Sequence, residues 1–530
     1  MKKGLLVFII FMMSFMAGCG NQEKVNIIED NYRNYYEIFV RSFYDSDGDG
    51  IGDLKGIVEK LDYLKDNDFK TKNDLGIDGI WLMPIMPSPT YHKYDVTDYY
   101  SIDPQYGTME DFEQLIAKSK ERGIKIIIDL VLNHTSAKHP WFLSAVKSLA
   151  IEPCGQDVCV HAELCREHNK YVNYYNFSQE KKSGYHSVGM PTGWYYEGVF
   201  WDQMPDLNLD NPEVRKEIED IGKFWIDKGV AGYRLDAVTS FYTGNISKNV
   251  EFLKFFNDKM KSYDSDIYIV GEAWSDANSI AEYYKSGVDS FFNFPLADTT
   301  GKIVAAVRSK NGAQLSKTLE EYQKKIKETN PKAMDAPFIS NHDMGRSAGF
   351  LGGDLASEKM AAALYLMMPG NSFIYYGEEI GTLGSGKDEN KRLPLLWSAA
   401  DKTGITYAPP NADYKGTIEA GVMEQEKDEN SLLQFYKKAI RIKNENPEIQ
   451  RGVLTSIDLG NDALCAYSLE YEGSKVYIVH NLSVDQVELK LSSEEYSKLK
   501  LKESLTTDDK KIILKNGNLT MPARSTAILK

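Results

Sequence analysis

Three carboxylates, each at the C-terminal end of a short apolar, β-branched or aromatic run, are the residues of this sequence best suited to chemistry. Asp236 follows Gly-Tyr-Arg-Leu, Glu272 follows Tyr-Ile-Val-Gly, and Asp343 follows Ser-Asn-His. In a barrel of parallel strands, the residues at the C-terminal strand ends are those presented to substrate. Two acids that flank a scissile bond, with a third nearby, suit the cleavage of a glycosidic linkage.

The spacing around these acids suggests how they would be held. Arg234 and Asp236 are two residues apart on a predicted strand, so both side chains point to the same side, towards the barrel axis. The guanidinium would keep Asp236 ionised, as a nucleophile requires. A structural Arg–Asp pair explains the same spacing, and Asn341-His342-Asp343 taken alone is more typical of a turn. The three motifs together, on three strand ends, favour a site.

Strand-like segments alternate with amphipathic helices from about residue 31. Asn211, Pro212 and Gly229 have the residue types of a helix cap, a first turn and a helix stop. The alternation predicts an α/β fold, a (β/α)₈ TIM barrel. A doubly wound open sheet is the alternative, disfavoured by the number of units and the missing Gly-rich nucleotide loop. The predicted strands are Tyr36–Arg41, Gly79–Pro84, Ile124–Val131, Val230–Asp236, Asp266–Glu272, Ser290–Phe294, Pro337–Asn341 and Ser372–Tyr376.

Two regions depart from this alternation. Residues 135–201 are loop-like and rich in Tyr, Trp, Gly and Cys, which predicts a subdomain inserted after the third strand. Short alternating runs in residues 446–530 predict a C-terminal antiparallel β-sandwich. The catalytic barrel is therefore assigned to residues 31–134 and 202–445. Aromatic residues of the insertion would form either a sugar-stacking wall, with Phe200 and Trp201 nearest to substrate, or a small core: Trp194, Tyr195, Tyr196, Phe200 and Trp201.

The net charge of −15 argues against a nucleic-acid partner, which would need a basic face. The start of the chain has the features of an export signal, with Lys2 and Lys3 before an apolar run, residues 5–15. Met16-Ala17-Gly18-Cys19 resembles a bacterial lipobox, with Met16 in place of the usual Leu. We therefore expect residues 1–19 to direct export and Cys19 to carry a lipid that anchors a monomeric enzyme outside the cell. Plain secretion is the alternative.

Three further cysteines, Cys154, Cys159 and Cys165, lie close together with His161 and His168 in one polar stretch. Outside the cell, a disulfide within this loop is the first interpretation. A zinc site is the second, because the spacing matches no closed zinc motif.

The motifs together resemble the α-amylase family of glycoside hydrolases, over essentially the whole mature length. Asp129–His134 is similar to the first signature of that family and Gly232–Ala237 to the second. Gly271–Trp274 is similar to the third, and Ser340–Asp343 to the fourth. Specific motifs in the order of the family make this resemblance strong.

The resemblance implies a retaining mechanism, with Asp236 as nucleophile, Glu272 as general acid/base and Asp343 as transition-state stabiliser. Such a mechanism places the first two carboxyl groups about 5–5.5 Å apart. Glu272 would have to keep its proton at neutral pH through burial or a neighbouring carboxylate, for which Asp343 is the candidate. The residues implied to contact the sugar are His92, Tyr94, His134, Arg234 and His342.

Acidic residues at alternate positions from Asp45 to Asp53, with glycines at the turn, form the opening half of a calcium loop. Gly56 stands where an EF-hand has its closing Glu, so the loop is not an EF-hand. It resembles the metal loop after the first strand in the oligo-1,6-glucosidase branch of the family, and a solvated acidic turn is the alternative. The implied Ca²⁺ ligands are Asp45, Asp47, Asp49, the Ile51 carbonyl and Asp53.

Other positions indicate the branch and the substrate. In α-amylases, where a second calcium ion is common, the second signature continues with a Lys-His pair. Here Thr239-Ser240 stands in that place, so a second calcium near Asn133 stays open. Met204–Asn208 resembles a signature intermediate between the oligo-1,6-glucosidase and neopullulanase branches. In the oligo-1,6-glucosidase branch a Val after the nucleophile accompanies α-1,6 specificity and smaller residues accompany α-1,4 specificity, so the resemblance implies α-1,4 cleavage for Ala237. We therefore expect endo-hydrolysis of starch or maltodextrins. The alternatives are an exo-acting α-glucosidase, a glucanotransferase, a trehalose-forming isomerase and a non-catalytic sugar-binding relative.

Overall fold

The computed structural model describes residues 29–66, 68, 71–189, 192–491 and 496–530. The predicted export signal and Cys19 lie outside these residues. Within the described ranges, no helix is both long enough and apolar enough to cross a membrane.

In the described part of the chain, eight parallel strands form one sheet in which neighbours along the chain are neighbours in space. The first strand also pairs with the eighth, with Tyr36 opposite Ile374. The N–H of Asn371 donates to the Asp335 carbonyl at 2.9 Å, beside the seventh strand. These contacts close the ring into the predicted (β/α)₈ barrel. The strands are Tyr35–Ile38, Gly79–Leu82, Lys125–Leu130, Gly232–Leu235, Tyr268–Gly271, Ser290–Phe292, Met334–Ala336 and Phe373–Tyr375.

The seventh strand differs from the prediction of Pro337–Asn341 and occupies Met334–Ala336 instead. Pro337 has no N–H to donate to a strand ladder, so the strand ends before it. Phe338 and Ile339 are nevertheless buried. Their apolar character therefore marks a buried loop at the end of the barrel, a pattern that sequence alone does not separate from a strand.

Helices follow the strands along the chain. The helix Pro212–Asp227 confirms the predicted signals: the Asn211 side chain accepts the Glu213 N–H at 2.8 Å. Gly229 has a φ of +91°, which suits the helix stop. The α-helices are Leu54–Glu59, Leu61–Leu64, Met109–Glu121, Pro140–Leu149, Pro212–Asp227, Ile246–Tyr263, Ala277–Tyr283, Lys302–Ser309, Ala313–Thr329, Ser347–Phe350, Leu355–Leu366, Asp388–Lys391, Val422–Gln425, Leu432–Glu445 and Pro447–Arg451.

The insertion contains the helix Pro140–Leu149 and a small antiparallel sheet, with strands Phe177–Ser178, Tyr185–Ser187 and Tyr195–Glu197. A backbone bridge between His134 and Asp206 pairs the two barrel segments that flank the insertion, and a bridge between Tyr175 and Leu207 connects the insertion itself to the barrel. The insertion is therefore fixed beside the C-terminal end of the third and fourth strands.

Two antiparallel sheets follow the barrel, as the sequence predicts. Side chains of both sheets, including Ala466, Leu519 and Ala527, share one buried core that is distinct from that of the barrel. The larger sheet contains Val453–Ser456, Leu464–Tyr471, Ser474–Asn481, Leu501–Thr506 and Ser525–Leu529; the smaller contains Val487–Lys490, Ile513–Lys515 and Asn518–Met521.

Candidate active site

The guanidinium of Arg234 binds carboxylates from three neighbouring barrel strands. Its Nη1 donates to Asp236 Oδ1 at 2.6 Å and to Asp129 Oδ1 at 2.8 Å, and its Nη2 donates to Glu272 Oε2 at 2.7 Å. Arg234 is completely buried and lies over the Trp81 ring, 5.1 Å from its centroid. The predicted orientation of Arg234 and Asp236 to one side of their strand is confirmed.

The two oxygens of Glu272 have different surroundings. Oε2 accepts from Arg234 and also from the Ala237 N–H at 2.9 Å, whereas Oε1 accepts no hydrogen bond from the described residues. Burial, opposed by Arg234 and reinforced by the Asp236 and Asp343 carboxylates, raises the pKa of Glu272 to about 8. Because Oε2 is occupied by two donors, the proton belongs on Oε1. This is the state that a general acid needs at neutral pH.

The backbone of Ala237 has an uncommon conformation, with a φ of +42°. Positive φ is rare outside glycine and persists where the surrounding structure holds it. Here it turns the chain directly after Asp236, and the Ala237 N–H reaches Glu272. The turn after the fourth strand is therefore hydrogen-bonded to the carboxyl group that follows the fifth strand.

Asp343 is held between two cationic groups. His342 Nε2 lies 2.9 Å from one of its oxygens, and Arg392 Nη2 donates to the other at 2.8 Å. Burial opposes ionisation, but His342 and Arg392 outweigh it and hold the pKa of Asp343 far below its ordinary value. Burial would lower the pKa of His342, yet Asp343 and Glu37 raise it to about 10. At neutral pH Asp343 is therefore an anion beside the imidazolium of His342.

Tyr94 connects this pair to the Arg234 group. Its hydroxyl donates to Asp129 Oδ2 at 2.9 Å and lies 2.8 Å from His342 Nε2. Since His342 is protonated, its Nε2 donates and the Tyr94 oxygen accepts. The Tyr94 ring also stacks on the His342 ring, with centroids 5.5 Å apart. The floor of the site is thus one continuous hydrogen-bonded network.

The two other predicted histidines are neutral. Burial, with a contribution from Arg392, lowers the pKa of His92 to about 4, and burial also lowers the pKa of His134. The Tyr94 N–H donates to His92 Nδ1 at 3.1 Å, so the His92 proton is on Nε2. His134 Nε2 lies 3.3 Å from the Tyr94 carbonyl, which can only accept, so Nε2 carries its proton too.

These side chains open onto a cavity of about 450 Å³. At its rim Phe200, Trp201 and Trp274 are 48%, 46% and 50% exposed. Trp274 stacks on Phe294 at 4.7 Å, which leaves its other face open. The cavity is lined by His92, Tyr94, His134, Phe200, Trp201, Met204, Asp236, Ala237, Thr239, Ser240, Glu272, Trp274, Asp343, Asp388 and Arg392.

Sequence reasoning missed two residues that hold Asp343 and His342. Arg392 comes from a loop after the eighth strand, in Asn-Lys-Arg-Leu-Pro, and nothing in that motif marks it. Glu37 accepts from His342 Nδ1 at 2.5 Å. It is a carboxylate within the buried first strand, Tyr35–Ile38, and an ionisable residue in such a run was an available signal.

The acidic loop after the first strand suits a calcium ion. Carboxylate oxygens of Asp45, Asp47 and Asp49 lie within 4.8 Å of one another. Gly48 and Gly50 have φ values of +87° and +88°, which allow the chain to turn tightly around this point. Oxygen ligands at these positions are those that Ca²⁺ prefers.

Asp53 is not in that group. Its Oδ1 accepts the Gly56 N–H at 2.8 Å, which caps the helix Leu54–Glu59, and its Oδ2 accepts the Ser46 N–H at 2.8 Å. Asp53 therefore fixes the base of the loop. At the position of the doubted second ion, Asn133 Nδ2 donates to Asp206 Oδ1 at 3.0 Å, so the amide already has a carboxylate partner.

The predicted disulfide in the insertion is not formed. Cys154, Cys159 and Cys165 are free, and their sulfur atoms form a group with His168 in which the ligand atoms all lie within 4.8 Å of one another. His161 is outside the group. The side chains converge on a common centre rather than pairing, which is the physical reason that the disulfide interpretation fails here.

A buried pair of carboxyl groups at the C-terminal strand ends of a barrel, one of them with a raised pKa, is the site of a glycosidase. Comparisons with known proteins agree with this class. A family model described as the catalytic domain of alpha amylase matches residues 37–452, and one described as the C-terminal domain of the alpha-amylase SusG matches residues 464–528.

Individual relatives cover nearly the whole chain. Alpha-amylase 3 of Dictyoglomus thermophilum is 42% identical, covering 91% of this chain and 90% of that protein. An oligo-1,6-glucosidase of Parageobacillus thermoglucosidasius is 30% identical, covering 84% and 89%. The solved structure of Eubacterium rectale Amy13B superimposes with a TM-score of 0.88 at 42% identity, covering 96% of each chain. The chain belongs to the α-amylase family, glycoside hydrolase family 13, and is a glycoside hydrolase of the α-amylase type.

Proposed function

We propose that this enzyme hydrolyses internal α-1,4-glucosidic bonds of starch and maltodextrins with retention of anomeric configuration. The observation that carries the proposal is the attachment of Asp236 and Glu272 to the same Arg234 guanidinium, in surroundings that raise the pKa of Glu272 to about 8. One guanidinium between them keeps the two carboxyl groups close, as a retaining mechanism requires.

In the first step Asp236 is the nucleophile. Arg234 occupies its Oδ1, and Oδ2 accepts no hydrogen bond from the described residues, so Oδ2 is available to attack the anomeric carbon. As that bond forms, the glycosidic C–O bond breaks and the proton on Glu272 Oε1 passes to the leaving oxygen. The Asp343 anion stabilises the positive charge that develops on the sugar ring.

In the second step the roles reverse. Glu272, now ionised, accepts a proton from water, and the water oxygen bonds to the anomeric carbon while the ester bond to Asp236 breaks. The enzyme returns to its starting protonation state, and two inversions give net retention.

The substrate assignment draws on relatives and on the cavity. The relative named alpha-amylase 3 is 42% identical to this chain, whereas an oligo-1,6-glucosidase is 30% and a trehalose synthase 32% identical; the alpha-amylase SusG is 27% identical. Ala237 after the nucleophile favours α-1,4 bonds. Phe200, Trp201 and Trp274 offer apolar faces at the rim, beyond the sugar at the cleavage point.

The product profile on a defined maltooligosaccharide tests this assignment. Early release of mixed short products supports endo-hydrolysis. Glucose alone would mean exo-action, products longer than the substrate would mean transfer, and trehalose from maltose would mean isomerisation. Binding without turnover by the unaltered enzyme would mean a non-catalytic sugar-binding protein.

We propose also that the enzyme is exported and anchored outside the cell through a lipid on Cys19. The charged start, the apolar run and the small residues before Cys19 support this. Fractionation of cells tests it: the enzyme is expected in the membrane fraction and the Cys19→Ala variant outside that fraction. Equal membrane association of both would contradict the anchor, and release of the unaltered enzyme into the medium would indicate secretion.

We propose that the acidic loop after the first strand holds one Ca²⁺ through Asp45, Asp47 and Asp49, with the Ile51 carbonyl as a further ligand. The ion would stabilise the loop through charge and would take no part in the chemistry. Asp45 is buried, while Asp47 and Asp49 are exposed. The ion would therefore lie at the protein surface, bound by one buried and two exposed carboxylates.

A further inference from the structure

The insertion contains a long stretch with little to stabilise it. Residues 150–169 have no strand and no α-helix, and Val158 and Val160 are 80% and 89% exposed. A segment without its own apolar core needs another source of stability, such as a disulfide or a metal ion. Cys154, Cys159 and Cys165 are free, so a disulfide does not supply it.

The four possible ligands of this stretch surround one point. Cys154 Sγ lies 3.5 Å from His168 Nδ1, and Cys165 Sγ lies 3.4 Å from the same nitrogen. With Zn–S bonds of about 2.3 Å and Zn–N bonds of about 2.0–2.1 Å, a tetrahedral zinc has S···N edges of roughly 3.5 Å. The observed separations match those edges. Cys159 completes the group within the same 4.8 Å.

We propose that Cys154, Cys159, Cys165 and His168 bind one zinc ion in a closed tetrahedral Cys₃His site. Four protein ligands leave no open position for water or substrate, so the ion is structural rather than catalytic. Thiolate sulfur with one imidazole is a ligand set that selects zinc over calcium or magnesium. The site is therefore chemically distinct from the acidic loop after the first strand.

Residues next to two of the ligands form contacts within the insertion. Asn169, next to His168, donates to the Ser144 carbonyl at 3.2 Å and to Ser148 Oγ at 2.8 Å on the helix Pro140–Leu149. Arg166, next to Cys165, forms an ion pair with Glu152 at 2.8 Å. These contacts hold one end of the stretch, and the zinc ion would hold the loop from Cys154 to Cys165 onto it.

The same contacts relate the cluster to the sheet of the insertion. The Arg166 guanidinium lies over the Trp194 ring, 5.6 Å from its centroid. Trp194 precedes the strand Tyr195–Glu197, which is followed by the rim residues Phe200 and Trp201. Loss of the ion would therefore loosen this side of the substrate cavity while leaving Asp236 and Glu272 in place.

Metal analysis of the full chain, purified without chelators, is the first test. One zinc per chain is expected by mass spectrometry of the elements. Cobalt exchanged into the protein should give the visible absorption of a tetrahedral site and sulfur-to-cobalt charge-transfer bands. Absence of zinc together with absence of these bands after Co²⁺ addition would overturn the proposal, whatever the behaviour of any variant.

Variants locate the ion. Cys159→Ser and His168→Ala should each reduce zinc content to background. His161→Ala is the matched control in the same loop and should keep one zinc per chain, because His161 lies outside the cluster. Equal loss from the control, or full retention in both ligand variants, would overturn the assignment.

Alkylation under denaturing conditions without reductant tests the competing disulfide. Peptide mass spectrometry should find Cys154, Cys159 and Cys165 all alkylated once the metal is removed. A disulfide between any two of them in freshly purified protein would overturn the proposal. Hydrolysis of a short maltooligosaccharide by the His168→Ala variant serves as a folding control for the barrel.

Discussion

Glu272 accepts a hydrogen bond from the Arg234 guanidinium at 2.7 Å and still keeps its proton at neutral pH. An adjacent cation favours the ionised carboxylate, so a larger effect must oppose it. That effect is burial, helped by the anions Asp236 and Asp343. Arg234 therefore positions the acid without ionising it, because its hydrogen bond goes to Oε2 and leaves Oε1 to carry the proton.

The pH dependence of kcat/KM should show that Glu272 has a raised pKa. The alkaline limb is expected near pH 8, the pKa of Glu272, because the general acid loses its proton there. The free energy of unfolding should fall over the same pH range. The contribution from the raised pKa of Glu272 is fully present below the pKa that Glu272 has in the unfolded chain, and it is lost as the pH rises to about 8. An alkaline limb near the ordinary pKa of a glutamate would contradict the account.

Replacement of Glu272 should separate its two roles, which are to accept the hydrogen bond from Arg234 and to donate a proton to the leaving group. Glu272→Gln keeps the acceptor for Arg234 but cannot donate a carboxyl proton, so kcat on maltodextrin should fall by about 10²–10⁴. The loss should be smaller for an aryl maltoside with a good leaving group, which needs no protonation in the first step. Equal losses on both substrates, or full activity on maltodextrin, would contradict the assignment of Glu272.

Arg392 is predicted to position Asp343. Arg392→Gln removes a charged hydrogen bond to the Asp343 carboxylate and should cost about 1.5–3 kcal/mol of transition-state stabilisation, or roughly ten- to a hundredfold in kcat/KM. Lys387→Gln is the control, because Lys387 pairs with Asp413 at the surface. If both variants retain the activity of the unaltered enzyme, Arg392 has no positioning role.

The conformation of Ala237 gives a matched pair of substitutions. Ala237→Val places a β-branched residue at a φ of +42° and should destabilise the fold by about 1–3 kcal/mol. It should also lower kcat, because the N–H bound to Glu272 moves. Ala237→Gly accepts positive φ without strain and should retain activity. Thermal unfolding and initial rates measure both effects, and a valine variant as stable as the glycine variant would count against the strain argument.

The response of the melting temperature to Ca²⁺ tests whether the acidic loop binds calcium. The double substitution Asp47→Asn and Asp49→Asn keeps the side-chain oxygens that accept from the Asp49 and Ile51 N–H groups and removes only charge. It should abolish the rise in melting temperature on Ca²⁺ addition, which is worth about 2.7 kcal/mol at a hundredfold excess over Kd. Asp258→Asn, on an exposed helix, is the control. A calcium response unchanged in the double variant would refute the site.

The sequence predicted the barrel, the insertion, the C-terminal sheets and the pairing of Arg234 with Asp236. These succeeded because each rests on local patterns: apolar runs of strand length, helix caps such as Asn211, and acids at strand ends. The prediction of the seventh strand was wrong because Phe338 and Ile339 lie in a loop and are as buried as strand residues. Burial, and not strand pairing, is what an apolar run reports.

Features that depend on distant segments could not be predicted. Arg392 reaches Asp343 across 49 positions of the chain, and His342 meets Glu37 across 305. No local pattern encodes either contact. The cysteines show the same limit: their spacing placed a disulfide before a metal site, and only the folded loop shows that the three sulfurs lie close to His168.

The anomeric form of the first product tests the central claim most directly. Proton NMR of a maltooligosaccharide, followed from the first minutes of hydrolysis, should show the α-anomer appearing before mutarotation. That result requires two displacements at the anomeric carbon, in which we assign the nucleophile to Asp236 and the acid and base to Glu272. Initial appearance of the β-anomer would contradict the account, because it would mean that water, and not Asp236, displaces the leaving group.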